Sequence, residues 1–102
     1  MGVSIRTIAG QLPDTAGTLY TVPGGIKAYV NAVTLFCNTG LETVVIYKTI
    51  DGVTATLKAI PLDTDESAEI TKFALKAGDT IDGETTTAAT VDYTIDVVED
   101  NE

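Results

Sequence analysis

Residues 42–60 read ETVVIYKTIDGVTATLKAI, and the fold turns on how this stretch is understood. Asp51-Gly52 separates two runs rich in β-branched residues. A type I′ hairpin turn needs positive φ at both central positions, and Asp-Gly tolerates that. The run after the turn alternates, with Val53, Ala55, Leu57 and Ala59 on one side and Thr54, Thr56 and Lys58 on the other. A two-residue period is the mark of a half-buried strand. Pro61 has no N–H for a ladder and is expected to end the strand. The stretch therefore reads as a β-hairpin with strands over 42–50 and 53–60.

The same punctuation continues in both directions. Further strands are expected over 3–9, 18–22, 28–37, 67–75, 80–84 and 90–98, separated by Gly, Pro, Asn and Asp at short intervals. Eighteen threonines, with many valines and isoleucines, favour pleated strands over helices. The segment 28–37 is apolar on both sides, with Tyr29, Val33 and Leu35 on one and Val30, Ala32 and Phe36 on the other, as in a covered or central strand. Segment 90–98 places Val91, Tyr93, Ile95 and Val97 inward against Asp92, Thr94 and Asp96. The fold class that follows is all-β, an antiparallel β-sandwich of about eight strands with a jelly-roll-like arrangement. One domain is expected over 1–98, its first 12 residues a possible assembly strand, with 99–102 an acidic tail that frays.

The corner TLYTVPGG, residues 18–25, reads as a type II turn, with Pro23 second and Gly24 third at positive φ. It joins two strands and presents no ligand loop.

The chain has 102 residues and a formal charge of −9. A surplus of carboxylates repels phosphate backbones, and the six basic residues are dispersed, so no nucleic-acid partner is expected. There is no continuous apolar run of about 20 residues to span a membrane. The first residues are a poor signal peptide and a weak myristoylation match, so a membrane partner is not expected and the protein should stay where it is made.

The chemistry needed for catalysis is sparse. There is no histidine to serve as the base that Ser4, Ser67 or the single cysteine, Cys37, would need as a nucleophile. Cys37 reads as a buried thiol. The stretch Pro23 to Lys27 lacks the spacing of a phosphate loop. Asp63, Asp65 and Glu66 lie close together, but LDTDESAEITKF lacks the central glycine of a calcium loop. No catalytic residue, cofactor or metal ligand is assigned, and the chain is not expected to be an enzyme. Without tryptophan, a carbohydrate-binding sandwich would rely on tyrosines and is the alternative reading.

Three segments carry a family resemblance: Leu19 to Gly25, Val33 to Thr39, and Leu75 to Ile81. With the strands between them, they resemble small structural proteins of tailed-bacteriophage virions, in which an LYTVPAG corner precedes an apolar strand ending in CNT or TNT, and an L.AGDTI corner precedes the last hairpin. The resemblance covers most of 18–98. The chain departs at Gly24, often Ala in the family, and at Thr64-Asp65-Glu66-Ser67, often AGES. Both departures fall in turns. The resemblance implies a structural virion protein, and the length suits a capsid decoration (cement) subunit that binds the capsid exterior and stabilises it. A tail or neck component is the alternative place. It also implies the major capsid protein or another virion protein as partner, a homo-oligomer of trimeric type, and assembly in the host cytoplasm. Assembly-contact candidates are Val3, Ile5, Arg6, Ile8 and Leu12 in the N-terminal strand, and Tyr20 in the corner.

Overall fold

The computed structural model describes residues 2–101. Eight strands follow one another: β1 (Gly2–Gln11), β2 (Gly17–Thr21), β3 (Ile26–Cys37), β4 (Glu42–Ile50), β5 (Val53–Leu62), β6 (Ser67–Leu75), β7 (Thr80–Thr85) and β8 (Val91–Asn101). They form two antiparallel sheets, ordered β1-β8-β3-β6 and β2-β7-β4-β5. Every connection crosses from one sheet to the other except the β4–β5 hairpin. That is the jelly-roll arrangement. The hairpin turn is as its sequence demands, with φ of 53° at Asp51 and 80° at Gly52.

The core lies between the sheets. Val30, Val33 and Leu35 of β3 and Val91, Ile95 and Val97 of β8 meet Val44 and Ile46 of β4 and Ile81 of β7, all but fully buried. Burying side chains of this size stabilises by about 1.5–3 kcal/mol each. Leu12, Val22 and Leu75 close the sandwich where strands leave it.

The sides of β3 differ from strict alternation. Pairing with β8 shifts between Val30 and Ala32, which makes Asn31 an extra residue. A bulge of this kind moves everything beyond it to the opposite parity. Val30 therefore shares the inward face with Val33, Leu35 and Cys37, while Tyr29 and Phe36 point outward and are exposed. On the neighbouring strand Lys72, at φ 41°, stands opposite Asn31 outside the regular ladder. A second bulge, at Leu57 of β5, turns Ile60 and Leu62 inward in place of Ala59.

Pro61 does not end β5. It pairs with Thr43, and the strand runs on to Leu62. β5 is an edge strand, so a missing N–H on its outer side costs no ladder bond.

The acidic tail is strand rather than frayed chain. β8 extends through Asn101 because both neighbours continue beside it, with Gly2 and Ile26 each paired to Asn101. Glu99 carries the inward parity of Val97 two residues further and is buried. Glu102 lies outside the described residues. Residues 3–12, expected as a possible assembly strand, form the first strand of the chain's own sandwich and its loop, with β1 in ten consecutive pairs against β8.

The Pro23 corner turns one residue later than its sequence suggests. The Ile26 N–H donates to the Pro23 carbonyl, and the positive φ, 76°, belongs to Gly25. Val22 is held extended from outside: its N–H donates to the Asp79 carbonyl and its carbonyl accepts from the Gly78 N–H. With Val22 committed, the reversal begins at Pro23.

Candidate interaction surface

Two corners of the sequence meet at one end of the sandwich. The bonds between Val22 and residues 78 and 79 join the TVPGG corner to the AGDTI corner. Asp79 is the hub. Its buried carboxylate accepts from the Lys76 N–H at 3.0 Å, the Asp51 N–H at 3.4 Å and Lys76 Nζ at 3.3 Å. Burial alone would raise its pKa, but these donors outweigh burial and hold the carboxyl below the usual range. Lys76 also bonds Asp51, which raises the ammonium pKa.

The opposite end is organised by Glu42. Its Oε1 accepts from the Thr87 N–H at 2.7 Å, Thr90 Oγ1 at 2.9 Å and Thr85 Oγ1 at 3.2 Å. Burial opposes ionisation here too and is overcome by those donors, so the carboxyl pKa falls. The polar loop between β7 and β8 is thereby fastened to the start of β4. Nearby, Asp63 and Glu66 cap their own turn: the Asp63 N–H donates to Glu66 Oε1 at 2.7 Å, and the Thr64 N–H donates to Asp63 Oδ1 at 2.7 Å. These carboxylates serve the backbone. Cys37 is fully buried beside them, its Sγ 3.2 Å from the Gly40 carbonyl oxygen.

A third polar cluster braces β1. Tyr20 Oη donates to Glu99 Oε2 at 2.6 Å, with both residues buried. Arg6 Nη1 reaches the same oxygen at 3.3 Å, and the guanidinium lies 6.0 Å from the Tyr20 ring centroid, a cation–π approach. Burial first, and the bond to Glu99 second, push the phenol above the usual tyrosine range. Tyr47 makes a similar bond to Glu84 at 2.7 Å, which raises its pKa as well.

The six contact candidates separate by depth. Val3 and Ile5 are open to solvent, 66% and 82% exposed, on the outer side of the β1 sheet. Arg6 faces Glu99, with its side chain 49% exposed. Ile8 packs against the core from the edge. Leu12 is buried; its N–H donates to the Val91 carbonyl and its carbonyl accepts from the Ala89 N–H. Tyr20 is buried and engaged with Glu99. Leu12 and Tyr20 thus anchor the N-terminal segment from within, and of the six candidates Val3 and Ile5 are the ones most open to a partner.

The outer side of that sheet holds residues not singled out from sequence. Ile5 pairs with Val98, and Val98 pairs with Tyr29, which makes one apolar row across three strands. The row enters an open depression of about 570 Å³, also lined by Asn31, Lys72 and Phe73. The two bulged residues bend the sheet there. Alternation alone put Tyr29 on the same side as Val33 and Leu35, and the Asn31 bulge puts it on this surface instead.

No family model and no curated protein matches the chain. Among solved structures, it is similar to a subunit of Bacillus endospore appendages, a family of disulfide-linked pili, with 24% identity, a TM-score of 0.59, and coverage of 95% of this chain and 85% of that one. It is also similar to a chain of the T13 IBDV viral particle, with 8% identity, a TM-score of 0.58 and coverage of 97% of this chain. It spans 31% of that viral chain. At these identities the likeness establishes a shared β-sandwich fold.

Proposed function

We propose that the chain is a non-catalytic structural subunit of a virion, a capsid decoration protein that binds the particle exterior. The observation that carries this reading is the apolar row Ile5–Val98–Tyr29, whose two ends are exposed to water on a chain of net charge −9. A chain that keeps its solubility by charge gains nothing from such a row unless another surface covers it. The phage-like corners support the virion setting, and the fold shared with a viral particle chain is compatible with it. Val3 and Ile5 are proposed as contact side chains, with Arg6, Ile8, Leu12 and Tyr20 holding their strand in place.

The test is to add purified chain to particles that lack it and weigh what co-sediments. Saturable binding that Tyr29→Glu abolishes, with an unchanged circular dichroism spectrum, is the expected result. No binding to heads, together with absence from purified particles by mass spectrometry, would refute it. Binding to tails alone would move the subunit to the tail or neck.

A further inference from the structure

Four strands lie at sheet edges, and three of them are spoiled for pairing. β2 has five residues and a bulge at Leu19. β5 carries Pro61 and the Leu57 bulge. β6 is broken by Lys72 at positive φ. Proline, lysine, bulges and shortness are the features by which proteins keep sheet edges from pairing with strangers. β1 has none of them. It runs for ten residues without proline, lysine or bulge, in unbroken register with β8, and β8 is its one ladder partner. Alternate peptide groups along it are directed away from β8, where a further strand would receive them.

Charge selects the occupant. Fifteen carboxylates repel one copy from another, yet β1, GVSIRTIAGQ, contains none. Its single charge, Arg6, is committed to Glu99. β1 is the long edge at which two copies meet without bringing carboxylates together.

We infer that β1 pairs antiparallel with β1 of a second copy about a twofold axis at Ile5, joining two four-stranded sheets into one of eight strands. This rests on the structural-subunit reading and names the contact between subunits. The register follows from side chains. An axis at Ile5 sets Ile5 against Ile5, Val3 against Thr7 and Ser4 against Arg6. An axis at Arg6 would oppose two guanidinium groups, which is unfavourable across a strand pair. An axis at Thr7 would set Val3 against the amide of Gln11. Of these three, the first alone covers Ile5, the most exposed large apolar side chain of the described residues, with a large apolar partner. It also merges the two rows, so that Tyr29, Val98 and Ile5 of one copy continue into those of the other.

The experiment uses the full chain in two measurements. Sedimentation equilibrium reads the mass, and a short bis-maleimide cross-links single-cysteine variants, Cys37 being buried. The expected result is a dimer that Ile5→Lys reduces to monomer with its β-sheet spectrum intact. Ile5→Cys should cross-link in high yield. Ala9→Cys should not, because the two copies of residue 9 would lie eight residues apart, about 27 Å at strand spacing. A monomeric or trimeric wild type, or cross-linking at residue 9 in preference to residue 5, overturns the inference. The cross-linking result stands even if Ile5→Lys fails to fold. A monomer that still coats particles defeats the twofold contact alone; a dimer absent from particles defeats the virion role alone.

Discussion

Replacing Tyr20 with phenylalanine removes one hydroxyl and leaves the ring. The hydroxyl donates at 2.6 Å to Glu99, a carboxylate only 6% exposed, so the change leaves a buried charged acceptor short of a donor. Hydrogen bonds to charged groups contribute about 1.5–3 kcal/mol. Arg6 remains as a second donor at 3.3 Å, but its side chain is half exposed and does not replace the lost bond. A loss of about 2 kcal/mol follows, which in a domain of about 100 residues lowers Tm by about 8–16 °C. Urea unfolding at pH 7, followed by circular dichroism, reads it directly. A second signature appears in alkali. The folded-state phenol pKa lies above the unfolded value of about 10, so the folded state holds its proton longer. Its contribution is complete below pH 10 and is lost as pH rises toward the folded value, by up to about 1.4 kcal/mol per pH unit. Tyr47 and Lys76 are raised too and slope the same way, so the difference between wild type and Tyr20→Phe isolates Tyr20. A variant within 0.5 kcal/mol of wild type, with a parallel alkaline slope, would refute the brace; that threshold is about the scatter of ordinary surface substitutions.

Four other changes test the corners and the β1 seam. Gly24 has ordinary φ and open space where a Cβ would go, so Gly24→Ala should stabilise by about 0.4–1 kcal/mol, whereas Gly25→Ala, at φ 76°, should cost about 1–2 kcal/mol in the same urea assay. Glu42→Gln should lower stability at neutral pH. Because the native carboxyl pKa is depressed, that advantage exists above the unfolded value of about 4.3 and disappears as pH falls through the folded one, so the gap between variant and wild type should close in acid unfolding curves. Gly10→Ala would put a methyl 2.9–3.1 Å from the Tyr93 ring across the β1–β8 ladder, and should cost about 1–3 kcal/mol and alter the near-UV tyrosine signal.

Where the chain obeys a plain period, its structure was legible in its residues. Asp51-Gly52 made the hairpin, and the alternation of 91–97 put Val91, Ile95 and Val97 in the core. Extended two residues further, the same alternation places Glu99 inward, but a carboxylate at a core position reads as surface until its partners Tyr20 and Arg6 are seen to converge from β2 and β1. The bulges left no local trace. Asn31 is an unremarkable polar residue in an apolar strand, and its extra place in the ladder depends on Asp96 and Val97 of β8, far along the sequence. Tyr29 was misplaced for that reason, and the outward apolar row was hidden with it. Pro61 reads as a stop only if its strand is interior, and edge status is a property of the whole sheet. The turn at Pro23 shifted because Val22 answers to Gly78 and Asp79, a pairing that neither corner announces.

The bulge at Asn31 also sets how this chain can change in length. Remove Thr34 from β3 and the residues beyond it change face, turning Leu35 and Cys37 toward water. Remove Asn31 together with Lys72, its counterpart on β6, and β3 falls back into step with β8, and β6 stays in step with β3, while the same side chains stay inside. Deletions confined to this pair are the ones the fold can absorb in that half of the sandwich. Descendants of this chain that differ in strand length should differ there, and a residue-by-residue alignment that ignores the pair will match core positions on one side of it to surface positions on the other.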